Sequence, residues 1–97
     1  TESLESLILQ NVETKEEQTI PVAGVFVAIG QMPQNEKFAG MVELDAHGYV
    51  KAGENCHTNV EGIFTAGDCR TKEVRQLATA AADGAVAALA ACAYLNQ

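Results

Sequence analysis

The apolar positions fall into blocks separated by charged or glycine-bearing stretches. From Leu4 to Val12 apolar and polar residues mix, with Leu7 and Leu9 two apart; Glu13-Thr14-Lys15-Glu16-Glu17 then interrupts, and Thr19-Ile20-Pro21-Val22 follows. This pattern predicts two short strands around a charged turn, the acidic run being a solvated hairpin tip rather than a docking patch. Gly24-Val25-Phe26-Val27-Ala28-Ile29-Gly30 is continuously apolar, bounded by glycines and too short for an ordinary helix, so it reads as a strand buried on both faces. Gln31 to Gly40, with Pro33 and Asn35, reads as a loop. Val42 to Lys51 reads as a small hairpin, with Gly48 supplying the positive φ of its turn.

Ile63-Phe64-Thr65-Ala66 is the next short strand expected to be buried, and it runs straight into Gly67-Asp68. After Cys69-Arg70-Thr71-Lys72 the pattern turns helical, from about Val74 to about Asn96. Ten of the sixteen residues from Ala78 to Ala93 are alanine, the strongest helix former. Gly84 inside that helix costs about 1 kcal/mol relative to alanine, which points to close packing on its side. Leu77, Ala81, Gly84, Ala85, Ala88 and Ala91 or Cys92 form a narrow small-residue face, suited to another element or a flat ligand, while Val74, Leu89 and Leu95 supply bulk.

Composition narrows the classes. A chain of 97 residues, 47% hydrophobic with 8 Gly and 2 Pro, folds, but has room for one compact domain and not for two nucleotide domains. Thirteen acidic against six basic side chains give a net charge of −7 without a Lys/Arg cluster, which argues against nucleic acid and anionic membrane partners. The apolar run Ala85 to Ala93 is far shorter than the roughly 20 residues a bilayer requires. No secretory signal opens the chain; its start at Thr1-Glu2 suggests a piece of a longer polypeptide. Cys56, Cys69 and Cys92 form no C-x-x-C pair and complete no metal set with His57, so reduced cytoplasmic thiols are expected, with His47 and His57 facing solvent.

The chemistry concentrates where the second apolar strand ends. In open α/β sheets ligands lie beyond the carboxyl ends of strands, where a helix start offers unpaired amides and partial positive charge. Asp68 at that position can accept hydrogen bonds from sugar or polyol hydroxyls, and Gly67 removes a Cβ that would block close approach. The N–H groups around Arg75, Gln76 and Leu77 can stabilise an electron-rich oxygen or a developing anion. On composition alone, Asp68 serves equally well as a cap of the turn or helix.

Gly24-Val25-Phe26-Val27-Ala28-Ile29-Gly30, Thr58-Asn59-Val60-Glu61-Gly62-Ile63-Phe64-Thr65-Ala66-Gly67-Asp68-Cys69-Arg70 and Val74-Arg75-Gln76-Leu77-Ala78-Thr79-Ala80-Ala81-Ala82-Asp83-Gly84 together resemble the carboxyl-terminal part of bacterial low-molecular-weight thioredoxin reductases. The block around Thr65-Ala66-Gly67-Asp68-Cys69 is common to many flavin disulfide reductases; the Arg75-Gln76 pair opening an alanine-rich helix is narrower. Two loop positions depart from the family pattern: Pro33-Gln34-Asn35 where Pro-Asn is usual, and Glu61 where proline is usual.

The resemblance implies an α/β fold, the C-terminal portion of an FAD-binding Rossmann-like domain in which short strands and hairpins precede a long helix. Residues 1–22 would be the last hairpin of the NAD(P)H-binding domain and 23–97 the returning segment of the FAD-binding domain. It implies that Asp68, with Gly67, holds the ribityl chain of FAD, and that backbone amides of Arg75, Gln76 and Leu77 meet the pyrimidine edge of the isoalloxazine. The parent enzyme would pass electrons from NADPH through FAD and a dithiol to thioredoxin, as a cytoplasmic homodimer. No G-x-G-x-x-G loop and no C-x-x-C pair occurs among these residues, so this stretch alone is expected to be inactive and to hold no catalytic residue or metal. Two alternatives remain: a thioredoxin reductase-like ferredoxin–NADP reductase or other flavin oxidoreductase, and a non-catalytic oligomerisation module using the small-residue helix.

Overall fold

The computed structural model describes residues 2–97, which divide into two compact units, one ending at Gly30 and the other spanning Gln31–Gln97. In the first unit, β1 (Ser6–Gln10) and β2 (Glu17–Pro21) pair antiparallel with Ser6 opposite Pro21 and Gln10 opposite Glu17. The half-buried Leu7 and Ile20 stand opposite each other in this register, so the hairpin gathers its modest apolar contact on one side. Asn11 builds the expected charged turn: its Oδ1 accepts the Glu13 and Thr14 N–H groups at 2.9 and 3.0 Å, and Lys15 takes a φ of 65°.

The run Gly24 to Gly30 forms no strand. Phe26 is fully exposed and Ile29 94% exposed, which reverses the expected burial. A strand buried on both faces requires neighbours that complete its ladder and layers that cover it, and no described residue pairs with this segment.

The second unit is a loop-rich platform closed by one helix. A short 3-10 turn occupies Glu36–Phe38 within the expected loop. The hairpin expected around Gly48 reduces to a single antiparallel bridge, Leu44 to Val50, with Gly48 at φ 91° and Asp45 Oδ1 accepting the Tyr49 and His47 N–H groups. Those bonds, the Tyr49 one first, hold the Asp45 carboxyl below its ordinary pKa. The strand expected at Ile63–Ala66 likewise appears as one bridge, His57 to Phe64, while Val50 bridges in parallel to Arg70. Val42, Val50 and Cys56 form the small apolar core, and buried Asn35 stitches two loops by donating from Nδ2 to the Gly48 and Cys69 carbonyls at 3.0 and 2.9 Å. His47 and His57 are exposed, as expected.

Helix α1 spans Leu77–Leu95 with Gln76 at its N-cap. Its inward face carries Thr79, Ala80, Asp83, Ala87, Ala90 and Ala91, whereas Ala81, Gly84, Ala85, Ala88 and Cys92 are exposed and no atom lies within 4 Å of a Cβ built on Gly84. The packed face is therefore rotated from the small-residue face expected. Asp83 sets that rotation, because its ion pairs fix which side of the helix meets the loops. At 19 residues and a mean hydropathy of 1.5, α1 is also longer than the apolar run Ala85 to Ala93, and by length and composition it would reach across a membrane. The charge at Asp83, tied to Arg70 and Lys72, argues against hydrocarbon surroundings on that face.

Candidate functional site

The turn after Thr65 is shaped by glycine. Gly67 is buried with φ 86°, a conformation other residues adopt at a cost, and its N–H points inward to Asp83 Oδ2 at 2.8 Å. The same oxygen accepts from Arg70 Nε at 2.6 Å and Lys72 Nζ at 3.2 Å, while Asp83 Oδ1 accepts from Arg70 Nη2 at 2.9 Å. Arg70 completes its fork by donating to the Thr71 carbonyl at 2.8 Å and to Glu54 at 3.2 Å. The Arg70 guanidinium, helped by the Gly67 N–H and Lys72, holds the Asp83 carboxyl well below the usual carboxylate range despite its burial; Asp83 in turn raises the Arg70 pKa.

With Gly67 turned inward, Asp68 is turned out. It is exposed, and its carboxylate has no hydrogen-bond partner among the described residues. Arg75 reaches back from the helix approach, donating from Nε to the Asp68 carbonyl at 3.0 Å and from Nη2 to the Arg70 carbonyl at 2.9 Å, with its guanidinium 3.8 Å above the centre of the Tyr49 ring. A cleft of about 180 Å³ beside it is lined by Gln31, Met32, Pro33, Tyr49, Asp68 and Cys69.

Gln76 stands exposed at the N-cap with its N–H donated to Thr79 Oγ1 at 3.0 Å, and Leu77, the first helical residue, is 93% exposed. Of the residues picked from sequence, Asp68 and Arg75 are brought into contact, and Gln76 and Leu77 continue the same edge into the helix. Gly67 gives its N–H to the protein interior, so its part is conformational. Arg70, Asp83, Asn35 and Tyr49 were not singled out by sequence reasoning. A lone acid within an alanine run, sixteen residues beyond Gly67, is the one signal that points to such a pair.

Residues 2–85 match the family described as pyridine nucleotide-disulphide oxidoreductase. The chain belongs to that family. It is 44% identical, over 97% of its length, to a thioredoxin reductase from Peptoclostridium litorale, and 44% identical over 96% to a 34.2 kDa protein in the rubredoxin operon of Clostridium pasteurianum. Among solved structures, Lactococcus lactis thioredoxin reductase aligns with 94% of the chain at a TM-score of 0.78 and 34% identity, and T. acidophilum thioredoxin reductase with 95% at a TM-score of 0.74 and 32% identity. The chain spans about 30% of the length of these relatives. The α/β class holds for this member of the oxidoreductase family: the hairpin and the long carboxyl-terminal helix match the thioredoxin reductase structures.

Proposed function

We propose that these residues form part of the flavin site of an FAD-dependent thioredoxin-disulfide reductase, a cytoplasmic homodimer that moves electrons from NADPH through FAD and a dithiol pair to thioredoxin. In this reading residues 1–22 end the NAD(P)H-binding domain and 23–97 return to the FAD-binding domain. The observation that carries it is Asp68: an exposed carboxylate with no hydrogen-bond partner among the described residues, beside the start of α1, where the Leu77 and Ala78 N–H groups precede the first backbone bond of the helix, from the Ala80 N–H to the Gln76 carbonyl.

These residues fit one end of FAD. A free carboxylate suits the hydroxyls of a ribityl chain, and the N-terminal end of α1, bordered by Arg75, Gln76 and Leu77, suits an electron-rich oxygen of the ring edge. Bound FAD would supply the hydride-accepting ring. The protein's share is to orient the ring by Asp68 and to favour negative charge at that edge by the helix start. The 97 residues by themselves turn over no substrate in this reading, since they hold neither the glycine-rich loops nor the redox-active pair.

The test is to express the complete reading frame that carries these residues, purify it and record its flavin absorbance, with Asp68→Ala alongside. Bound flavin in the parent and its loss in the variant are expected. A folded parent protein without flavin would overturn the reading.

A further inference from the structure

We infer that Asp83, clamped by Arg70, is a positioning residue for the flavin site, presenting the Asp68 carboxylate to the cofactor by anchoring the Gly67–Asp68 turn from the helix. The inference rests on the flavin reading of Asp68. Asp83 lies on the second turn of α1, remote in sequence from the turn it holds, and nothing in the reaction itself calls for a buried acid at that position. Its Oδ2 takes the Gly67 N–H at 2.8 Å, which directs that peptide inward. Since Gly67 sits at φ 86°, the next side chain leaves the turn on the solvent side, where Asp68 is found.

Arg70 makes the anchor directional. Its two bonds to Asp83, at 2.6 and 2.9 Å, fix both carboxylate oxygens, so the carboxylate cannot rotate away from Gly67 without breaking a charged fork. The Arg70 carbonyl also accepts from Arg75, which bonds the Asp68 carbonyl as well. One continuous set of bonds therefore runs from the second turn of the helix, through Arg70, to both sides of Asp68. It couples the ribityl-binding carboxylate to the helix whose first turn faces the ring edge.

The experiment uses the complete flavoprotein and compares Asp83→Asn, Asp68→Ala and Gly62→Ala, the last destabilising a turn away from the site. Asp83→Asn is expected to weaken FAD binding about tenfold, in line with one lost charge-assisted hydrogen bond, to alter the visible flavin spectrum, and to raise hydrogen–deuterium exchange in the segment from Thr65 to Thr71. Gly62→Ala, lowering the melting temperature comparably, should leave the FAD Kd unchanged. A wild-type Kd in Asp83→Asn, or an equal loss in Gly62→Ala, overturns the inference. If Asp68→Ala releases FAD and Asp83→Asn does not, only this inference falls; if Asp68→Ala keeps FAD, the flavin reading falls and takes it down too. Should Asp83→Asn yield no folded protein, Arg70→Lys, which keeps the charge and removes the fork, carries the same comparison, with a several-fold weaker Kd expected and an unchanged one fatal.

Discussion

Arg70 and Asp83, thirteen residues apart, form a two-bond ion pair with side chains only 1% and 7% exposed, and the pair joins the loop after Gly67 to the helix. Removing one member leaves the other charged and buried, which costs about 3 to 5 kcal/mol in comparable pairs. Arg70→Met leaves Asp83 with Lys72 and the Gly67 N–H, so it is expected to lower the unfolding free energy by about 3 kcal/mol, the lower end of that range, in urea denaturation. Asp83→Leu leaves the Gly67 N–H and Lys72 without their acceptor, so the double variant Arg70→Met with Asp83→Leu should recover only part of the loss. A double variant no better than the worse single one would mean that the two residues act separately.

The same pair sets an acid limit. The pKa of Asp83 is lowered on folding, chiefly by Arg70, so the native state favours the ionised form more than the unfolded chain does. Its stabilising contribution is complete above the unfolded carboxylate pKa of 3.8 and declines as the pH falls below it toward the depressed native value. Melting temperatures measured from pH 6 down to pH 2 should fall more steeply in the parent protein than in Asp83→Asn. Parallel profiles for the two would show that Asp83 is not the titrating group.

How much of this was legible depends on whether a feature is local. The helix start falls within about three residues of its expected position at Val74, because the helix preference of alanine is a local property of the chain. The acidic hairpin tip and the Gly48 turn were readable for the same reason. The Arg70–Asp83 pair was not, since Arg70 looks like one polar residue in a loop and Asp83 like one polar position on a surface helix. The strand expected from Val25 to Ile29 failed for the opposite reason: its apolar pattern is genuine, but strand formation is a property of partners, and no described residue pairs with it. The small-residue face was misplaced because an ion pair outweighed the preference of alanines for close approach.

Two glycines at the same φ of 86° should respond differently to alanine. A Cβ on Gly67 would lie 3.7 Å from the Ala80 Cβ, ordinary contact, so only the backbone penalty of about 1 kcal/mol applies. On Gly62 it would meet the Tyr94 ring at 3.2 Å, and Tyr94 is itself edge-on to Phe64. Gly62→Ala should cost about 1 kcal/mol more than Gly67→Ala by thermal unfolding. Adding Tyr94→Ala to Gly62→Ala should remove the extra steric cost; a further full loss would argue that the ring contact is not the cause.

The three thiols should label in order of exposure. Cys92 is exposed, Cys69 half-buried, and Cys56 wholly buried with a φ of 63°. Burial also pushes the Cys56 thiol pKa up, keeping it in the unreactive protonated form, and its Sγ donates to the Asp83 carbonyl at 3.5 Å. Mass spectrometry after brief iodoacetamide treatment should find Cys92 modified first and Cys56 last. Arg70→Met should speed Cys56 labelling by loosening the helix segment that covers it; unchanged labelling would show that Cys56 is shielded independently of the ion pair.

Asp68 and Arg75 should separate binding from stability. Asp68 is exposed and its carboxylate bonds to none of the described residues, so Asp68→Asn should change the unfolding free energy by less than about 0.5 kcal/mol. Arg75 holds two carbonyls and lies over Tyr49, and a lysine can reproduce neither the fork nor the planar stacking. Arg75→Lys is therefore expected to cost about 1 kcal/mol and to increase hydrogen exchange around Asp68. A carboxylate kept free of internal bonds while its own carbonyl is pinned by a neighbouring guanidinium is suited to an external donor. Loss of stability in Asp68→Asn as large as that in Arg75→Lys would instead make Asp68 a structural cap, with no carboxylate left over for a cofactor hydroxyl.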